Sequence, residues 1–274
     1  MNVSSVHSSI VVRLKVSVLR IWAFIFCMFV GAVGGGQCFS QERTAQPVYT
    51  HPLSVSSSLR QIVEALGDRV YEKGKEQVSF SGTLESQGKQ VQILVVKESP
   101  GYLRIELSGS PSKTIIHDLN QLTSSRGREE GDEELAELFT TDSAEGFLQG
   151  ITQGGSLRKI GDCFVVEGVS GFGKKVDIYD LYAPAPVRQG KPYVARRYMF
   201  DSDTGLLSRV RYVIERFGEE VPVQVILSDY QLVSGYRLPG KVVRISEGKT
   251  THTFTLQHGA IAPMGNSSLF EAVR

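Results

Sequence analysis

The sequence predicts a mainly antiparallel β chain with a few helices, an α+β architecture. Apolar and polar residues alternate with a period of two through Gln77 to Leu107 and again from Leu157 to Gln257, the spacing of strands with one buried face. The separators between these runs, such as Gln87-Gly88-Lys89, Asp203-Thr204-Gly205, Phe217-Gly218-Glu219, Ser234-Gly235 and Glu247-Gly248, are turn residues. They leave no room for crossover helices, so the strands pair antiparallel.

In chain order, Arg13, Lys15 and Arg20 precede an uncharged apolar run from Ile21 to Val33, too short for a bilayer-spanning helix and followed by Gly34, Gly35 and Gly36. The pattern is that of a signal peptide over residues 1–40, with Cys38-Phe39-Ser40 offering small residues at the cleavage positions. Residues 41–57 carry Pro47 and Pro52 without periodicity and read as an arm or linker; residues 58–274 read as one domain. That domain opens with Leu59, Ile62, Val63, Leu66 and Val70 at helical spacing, behind a capping box at Ser58 to Gln61 and ending near Gly74.

Strand follows helix. Val78, Phe80, Gly82 and Leu84 share one face, then Val91, Ile93 and Val95, then Leu103, Ile105 and Leu107. A shorter pair is expected at Thr114 to His117 and Leu122 to Ser124. The charged run Arg126 to Glu134 reads as a solvated loop, with helix resuming at Leu135, Leu138 and Phe139. A further helix around Phe147, Leu148 and Ile151 contains Gly146 and Gly150, each costing about 1 kcal/mol relative to alanine. Strands are then expected at Cys163 to Glu167, Val176 to Leu181, Tyr193 to Phe200, Leu206 to Ile214, Val221 to Ser228, Lys241 to Ile245 and Thr250 to Gln257.

Composition excludes some functions. The chain has 274 residues, 41% hydrophobic and 22% charged, with 30 basic residues against 29 acidic ones. Such a balance carries no counterion-displacing surface, so nucleic acid is excluded as a partner. Three basic residues and no acidic one fall within residues 1–40, which leaves 27 basic residues against 29 acidic ones in the remainder. Cys163 is then the sole cysteine, so no internal disulfide is expected and the thiol reads as a small buried hydrophobe.

Tests for chemistry fail in turn, and no catalytic residue, metal site or cofactor is expected. Gly168 to Lys175 approaches a phosphate-binding loop, but Lys175 stands where a hydroxyl is required and strand, not helix, follows. His252 and His258 share strand parity without ligating companions and read as surface or edge histidines. Glu129, Glu130, Asp132, Glu133 and Glu134 lack calcium-loop spacing, and no G-x-S-x-G elbow is present.

One apolar sheet face must be covered, and the helical residues are few. A curled sheet would keep a groove lined by Phe80, Leu84, Ile93, Val95, Leu103, Ile105 and Phe254; the alternative is that these residues close into an ordinary core.

The opening helix leading into Val78-Ser79-Phe80-Ser81-Gly82-Thr83-Leu84 resembles the start of the bacterial lipoprotein carriers LolA and LolB. Pro100-Gly101-Tyr102-Leu103-Arg104, Tyr198 to Leu207, Val225 to Pro239 and Ser268-Leu269-Phe270 are similar to turns and strand pairs of outer-membrane lipoprotein-sorting proteins. The resemblance covers most of Leu59 to Phe270. It departs at Asp118-Leu119-Asn120, where the family often has Asp-Gly, and over Arg126 to Gly155, which has no clear counterpart. No residue here is assigned to the arginine that closes the cavity in the LolA carriers.

The resemblance implies a half-open β-barrel with helices covering the concave face, a periplasmic setting and a cavity for acyl chains. The function expected is a non-enzymatic carrier or binder of lipid or lipoprotein acyl chains, with an inner- or outer-membrane protein as a further partner. The alternative is an envelope stress sensor or regulator using the same fold as a protein-interaction module.

Overall fold

A computed structural model of the chain describes residues 60–66, 76–98, 102–118, 121–153, 155–166, 173–182 and 194–263. The expected signal peptide, the arm, the helix beyond residue 66, Pro100-Gly101, Gly168 to Phe172 and Ser268 to Phe270 lie outside the described residues. The chain divides into two compact units, Pro47–Gly161 with Asp177–Arg274, and Met1–Gln46 with Asp162–Val176. In the smaller unit the described residues are 162–166 and 173–176, where Cys163 is buried and Lys175 Nζ lies 2.7 Å from Asp162 Oδ2.

A short helix, α1 (residues 60–65), turns Ile62 inward. The strands follow as β1 (Glu76–Ser86), β2 (Lys89–Glu98), β3 (Tyr102–Leu107), β4 (Lys113–Asp118) and β5 (Gln121–Ser124). Two helices interrupt them, α2 (Glu130–Phe139) and α3 (Ala144–Thr152). Then come β6 (Ser156–Val166), β7 (Gly173–Tyr182), β8 (Val194–Asp201), β9 (Leu207–Arg216), β10 (Glu219–Ser228), β11 (Gln231–Val233), β12 (Tyr236–Leu238), β13 (Lys241–Ser246) and β14 (Lys249–Pro263). Twelve strands form one sheet in the order β5-β4-β3-β2-β1-β14-β13-β10-β9-β8-β7-β6, and β11 with β12 forms a separate hairpin. From β5 through β8, and within the hairpin, neighbouring strands pair antiparallel. This is the expected class, mainly antiparallel strands in one large open sheet with few helices.

Turn chemistry explains the alignment. Gln87-Gly88, Phe217-Gly218, Ser234-Gly235 and Glu247-Gly248 all have positive φ at both residues, as the twist-matched two-residue hairpin turn requires. Each joins strands that pair directly, and the short turn pins their register.

In the larger unit the alternating residues of β1, β2, β3, β13 and β14 turn one face toward α2 and α3. Phe139 of α2 stands 5.5 Å from Phe80 and 5.2 Å from Phe254, ring centre to ring centre. Phe147 of α3 packs at 4.9–5.8 Å against Tyr179, Tyr198 and Phe200. Such offset and edge-on aromatic packing contributes beyond area burial.

Several local expectations are corrected. The run Arg126 to Glu134 is an exposed loop only as far as Glu129: α2 starts at Glu130, Asp132 is 3% exposed, and its Oδ2 accepts from the Glu129 N–H at 3.0 Å, the return half of a helix cap. His252, expected at the surface, is buried. The hairpin of β11 and β12 was not anticipated from alternation, since three-residue strands show no period. Gly146 and Gly150, which weaken a helix by propensity, meet a packing need. A Cβ at Gly146 would stand 2.3 Å from Thr140 O, and one at Gly150 would stand 2.4 Å from Leu181 Cδ2.

Gly82 sits at a register shift between β1 and β14, where a Cβ would stand 2.0 Å from Thr255 O and 2.9 Å from a Phe254 ring carbon. Backbone cannot yield as a side-chain tip can. Gly82→Ala is expected to lower unfolding free energy by about 3 kcal/mol, read as a fall in denaturation midpoint at unchanged m-value.

Candidate functional site

Helix α2 carries acidic residues on the face that meets the sheet, and the sheet answers with arginines. Glu134 Oε1 lies 2.7 Å from Arg216 Nη2 of β9, and its Oε2 lies 2.7 Å from Arg244 Nη1 of β13. One turn along, Glu137 Oε1 accepts from Arg196 Nη2 of β8 at 3.0 Å. In the turn between α2 and α3, Asp142 Oδ1 accepts from Arg196 Nε at 2.9 Å and Oδ2 from the Tyr212 hydroxyl at 2.8 Å. The Tyr198 hydroxyl donates to Thr141 O at 2.8 Å, and the Arg196 guanidinium lies 4.4 Å from the Tyr212 ring centre.

At the first turn of each helix further ions complete the fastening. Lys113 Nζ lies 2.5 Å from Asp132 Oδ1 and 2.7 Å from Glu129 Oε2. Helix α3 starts at Ser143, whose Oγ accepts from the Gly146 N–H at 3.1 Å. Just inside, Glu145 Oε2 lies 2.8 Å from Lys97 Nζ of β2, and its Oε1 accepts from the Tyr236 hydroxyl of β12.

Burial tunes these groups. Desolvation raises the Glu137 carboxyl above its usual range, although Arg196 opposes it. Desolvation likewise raises the Tyr212 and Tyr198 hydroxyls, with the Asp142 charge adding to it. For Arg196, burial acts downward, but Asp142 and Glu137 outweigh it and hold the guanidinium charged. His252, beside Arg244, is pushed down to about 4 by burial and then by the Arg244 charge, so it is neutral at pH 7.

Between α2, the start of α3, the sheet and the hairpin of β11 and β12 lies a cavity of about 40 Å³. Its apolar wall includes Phe80, Leu138, Ala144, Leu227, Val242 and Phe254, and its polar rim includes Lys97, Glu145, Tyr230, Tyr236 and Arg237. At roughly 10–15 Å³ per water-sized group, it holds about three such groups.

The seven residues expected to line a groove are brought together on one face of four adjacent strands, β3, β2, β1 and β14. Cross-strand pairs link them, Phe80 with Val95, Val95 with Ile105, and Leu84 with Phe254. Leu84, Ile93, Val95, Leu103 and Ile105 are core residues 0–3% exposed; of the seven, Phe80 and Phe254 line the cavity. Sequence reasoning did not find Glu134, Glu137, Asp142, Arg196, Arg216 or Arg244. One signal was available: a charge placed at a core-facing position of an alternating strand, as Arg244 stands between Val242 and Ser246. Among the described residues no group of three His, Cys, Asp or Glu side chains is placed to hold a metal.

No family model matches the chain, and no curated protein matches it. Solved structures similar to it include a DUF1329 family protein from Desulfovibrio piger, at 11% identity and a TM-score of 0.49, covering 79% of this chain and 97% of that one. An outer membrane lipoprotein-sorting protein domain from Vibrio parahaemolyticus is similar at 9% identity and a TM-score of 0.45, covering 78% of this chain and 95% of that one. A LolA superfamily protein from Nitrosomonas europaea is similar at 8% identity and a TM-score of 0.45, covering 75% of this chain and 94% of that one. At TM-scores below 0.5 these likenesses assign this chain no family and no ligand.

Two outcomes follow from the ionic fastening. Asp142→Ala strands the Arg196 guanidinium and the Tyr212 hydroxyl, and should cost about 3–5 kcal/mol of unfolding free energy, with urea titration as the measure. His252 binds its proton less readily folded than unfolded, since its value falls from 6.5 to about 4. Its contribution is therefore fully present above pH 6.5 and is lost as pH falls toward 4, up to about 3 kcal/mol. Against pH, His252→Gln should flatten the stability profile across that window, and an unchanged slope would refute the assignment.

Proposed function

We propose that this chain is an exported, periplasmic and non-enzymatic binder or carrier of lipid, taking acyl chains between the sheet and its helical cover. The cavity carries this reading, because it joins an apolar wall, Phe80, Leu138, Leu227, Val242 and Phe254, to a polar rim at Lys97, Glu145, Tyr230, Tyr236 and Arg237. That division of surface matches an amphiphile.

Size sets the condition. A pocket for a drug-sized ligand spans about 300–1,000 Å³, so about 40 Å³ receives only the end of a chain while the wall stays shut. Part of that wall is the hairpin of β11 and β12, two strands of three residues each. Such a hairpin is marginal by itself, whereas α2 is held by ion pairs at Glu134 and Glu137. Opening therefore falls to the hairpin. Each methylene that enters contributes about 0.8 kcal/mol, so a chain of roughly ten methylenes outweighs the exposure of Tyr236 and Leu238, the hairpin's buried side chains, at about 1.5–3 kcal/mol each.

The expected observation is lipid co-purifying with the natively isolated protein and identified by mass spectrometry, together with saturable binding of a fluorescent acyl probe. Ala144→Leu places a larger side chain in the cavity and should weaken probe binding about tenfold or more, equivalent to ~1.4 kcal/mol. Absence of both lipid and probe binding would refute the reading. Recovery of a membrane protein in equal amount, without lipid, would establish the regulator in its place.

A further inference from the structure

On β13, Val242, Arg244 and Ser246 succeed one another on the helix-covered face, and all are buried. Val242 lines the cavity, and Arg244 lies two residues further on, about 7 Å along the strand. Arg244 is 0% exposed. Its Nη1 donates to Glu134 Oε2 at 2.7 Å and to Thr251 Oγ1 at 3.3 Å. Its other edge, Nε with Nη2, has no hydrogen-bond partner among the described residues, and neither has the hydroxyl of Ser246.

That edge has a defined chemistry. Two parallel N–H donors in a planar fork match the two oxygens of a carboxylate or phosphate. The same chain displays the match at Arg197, whose Nε donates to Asp180 Oδ1 at 2.7 Å and whose Nη2 donates to Asp180 Oδ2 at 2.9 Å. Buried donors of this kind are costly to leave unsatisfied.

Charge does not oppose an anion at this point. Glu134 faces both Arg216 and Arg244, and Arg196 faces Glu137 and Asp142, so three arginines stand against three carboxylates. Proton uptake by Glu137, already raised by burial, can offset an arriving anion. His252, opposite Arg244 in the register of β13 and β14, is neutral and supplies no competing charge.

We propose that the Nε–Nη2 edge of Arg244, with the Ser246 hydroxyl, is the head-group site of the lipid cavity. It receives the oxyanion of an amphiphile whose tail lies along Val242, Phe254 and Leu227, Arg244 and Ser246 standing next beyond the cavity's own lining. This rests on the reading of the cavity as an acyl-chain site. It adds that the cargo carries a carboxylate or a phosphate monoester.

The test uses the full chain, freed of lipid, in calorimetric titrations with dodecanoate, dodecyl phosphate, dodecanol and inorganic phosphate, each below its aggregation threshold. At least one anionic amphiphile should bind about tenfold or more tightly than dodecanol, and the tighter of the two identifies the head group as carboxylate or phosphate. Inorganic phosphate, lacking a tail, should bind far more weakly than dodecyl phosphate. Arg244→Lys keeps the charge and loses the fork; it should shrink the anion preference over dodecanol below about threefold. Ser246→Ala, a smaller disturbance to folding, should reduce the preference by a lesser amount. Equal binding of alcohol and anions by the native chain would overturn the head-group site and leave the acyl-chain reading standing, whereas no binding of any amphiphile would overturn both.

Discussion

Carboxylates on α2 and α3 reach arginines and a lysine on the sheet, and the remainder of the larger unit is arranged around that contact. An apolar helix face on an apolar sheet face is held by area, which is non-directional. The pairs of Glu134 with Arg216 and Arg244, of Glu137 and Asp142 with Arg196, and of Glu145 with Lys97 tie the helices to β2, β8, β9 and β13. These strands extend from β2 to β8 across the middle of the sheet order, with β8 and β9 adjacent. Buried ion pairs add little net stability against a hydrophobic replacement, but they penalise every arrangement that leaves a charge without its partner. Their effect is therefore on position, and α2 and α3 can seat in one way.

That seating makes the cavity. The turn between α2 and α3 is pinned by Asp142, Tyr198 and Tyr212, so α3 starts where Ser143 and Ala144 meet the sheet and where Glu145 reaches both Lys97 and Tyr236. The space left at that corner is apolar below and polar above. Arg244 continues the same strand face beyond it, so apolar wall and buried cation lie on one track.

Much of this was legible in the sequence and some of it was not. Val78, Phe80, Gly82 and Leu84 were read as one face, and all four are buried. Gln87-Gly88 and Phe217-Gly218 were read as turns, and their backbones take the φ values such turns need. The acidic run was misread because charge density alone resembles a solvated loop. What distinguishes Asp132 and Glu134 from Glu133, which pairs with the exposed Arg128 five residues before it, is that their cations come from the sheet, and Lys113, Arg216 and Arg244 are remote in sequence. Ser234-Gly235 is legible as a turn, but the strands it joins, β11 and β12, are not legible from alternation, since three residues cannot establish a period.

By itself the sequence determined the antiparallel sheet, the sites of its turns and the face each strand turns inward, because alternation and turn conformation are local and steric. Only the tertiary structure decided which charges are buried, where the helices rest and where space remains between them. Those outcomes depend on distant pairs meeting in a low-dielectric interior, where a charge is stabilised or penalised by neighbours that no local window of sequence contains.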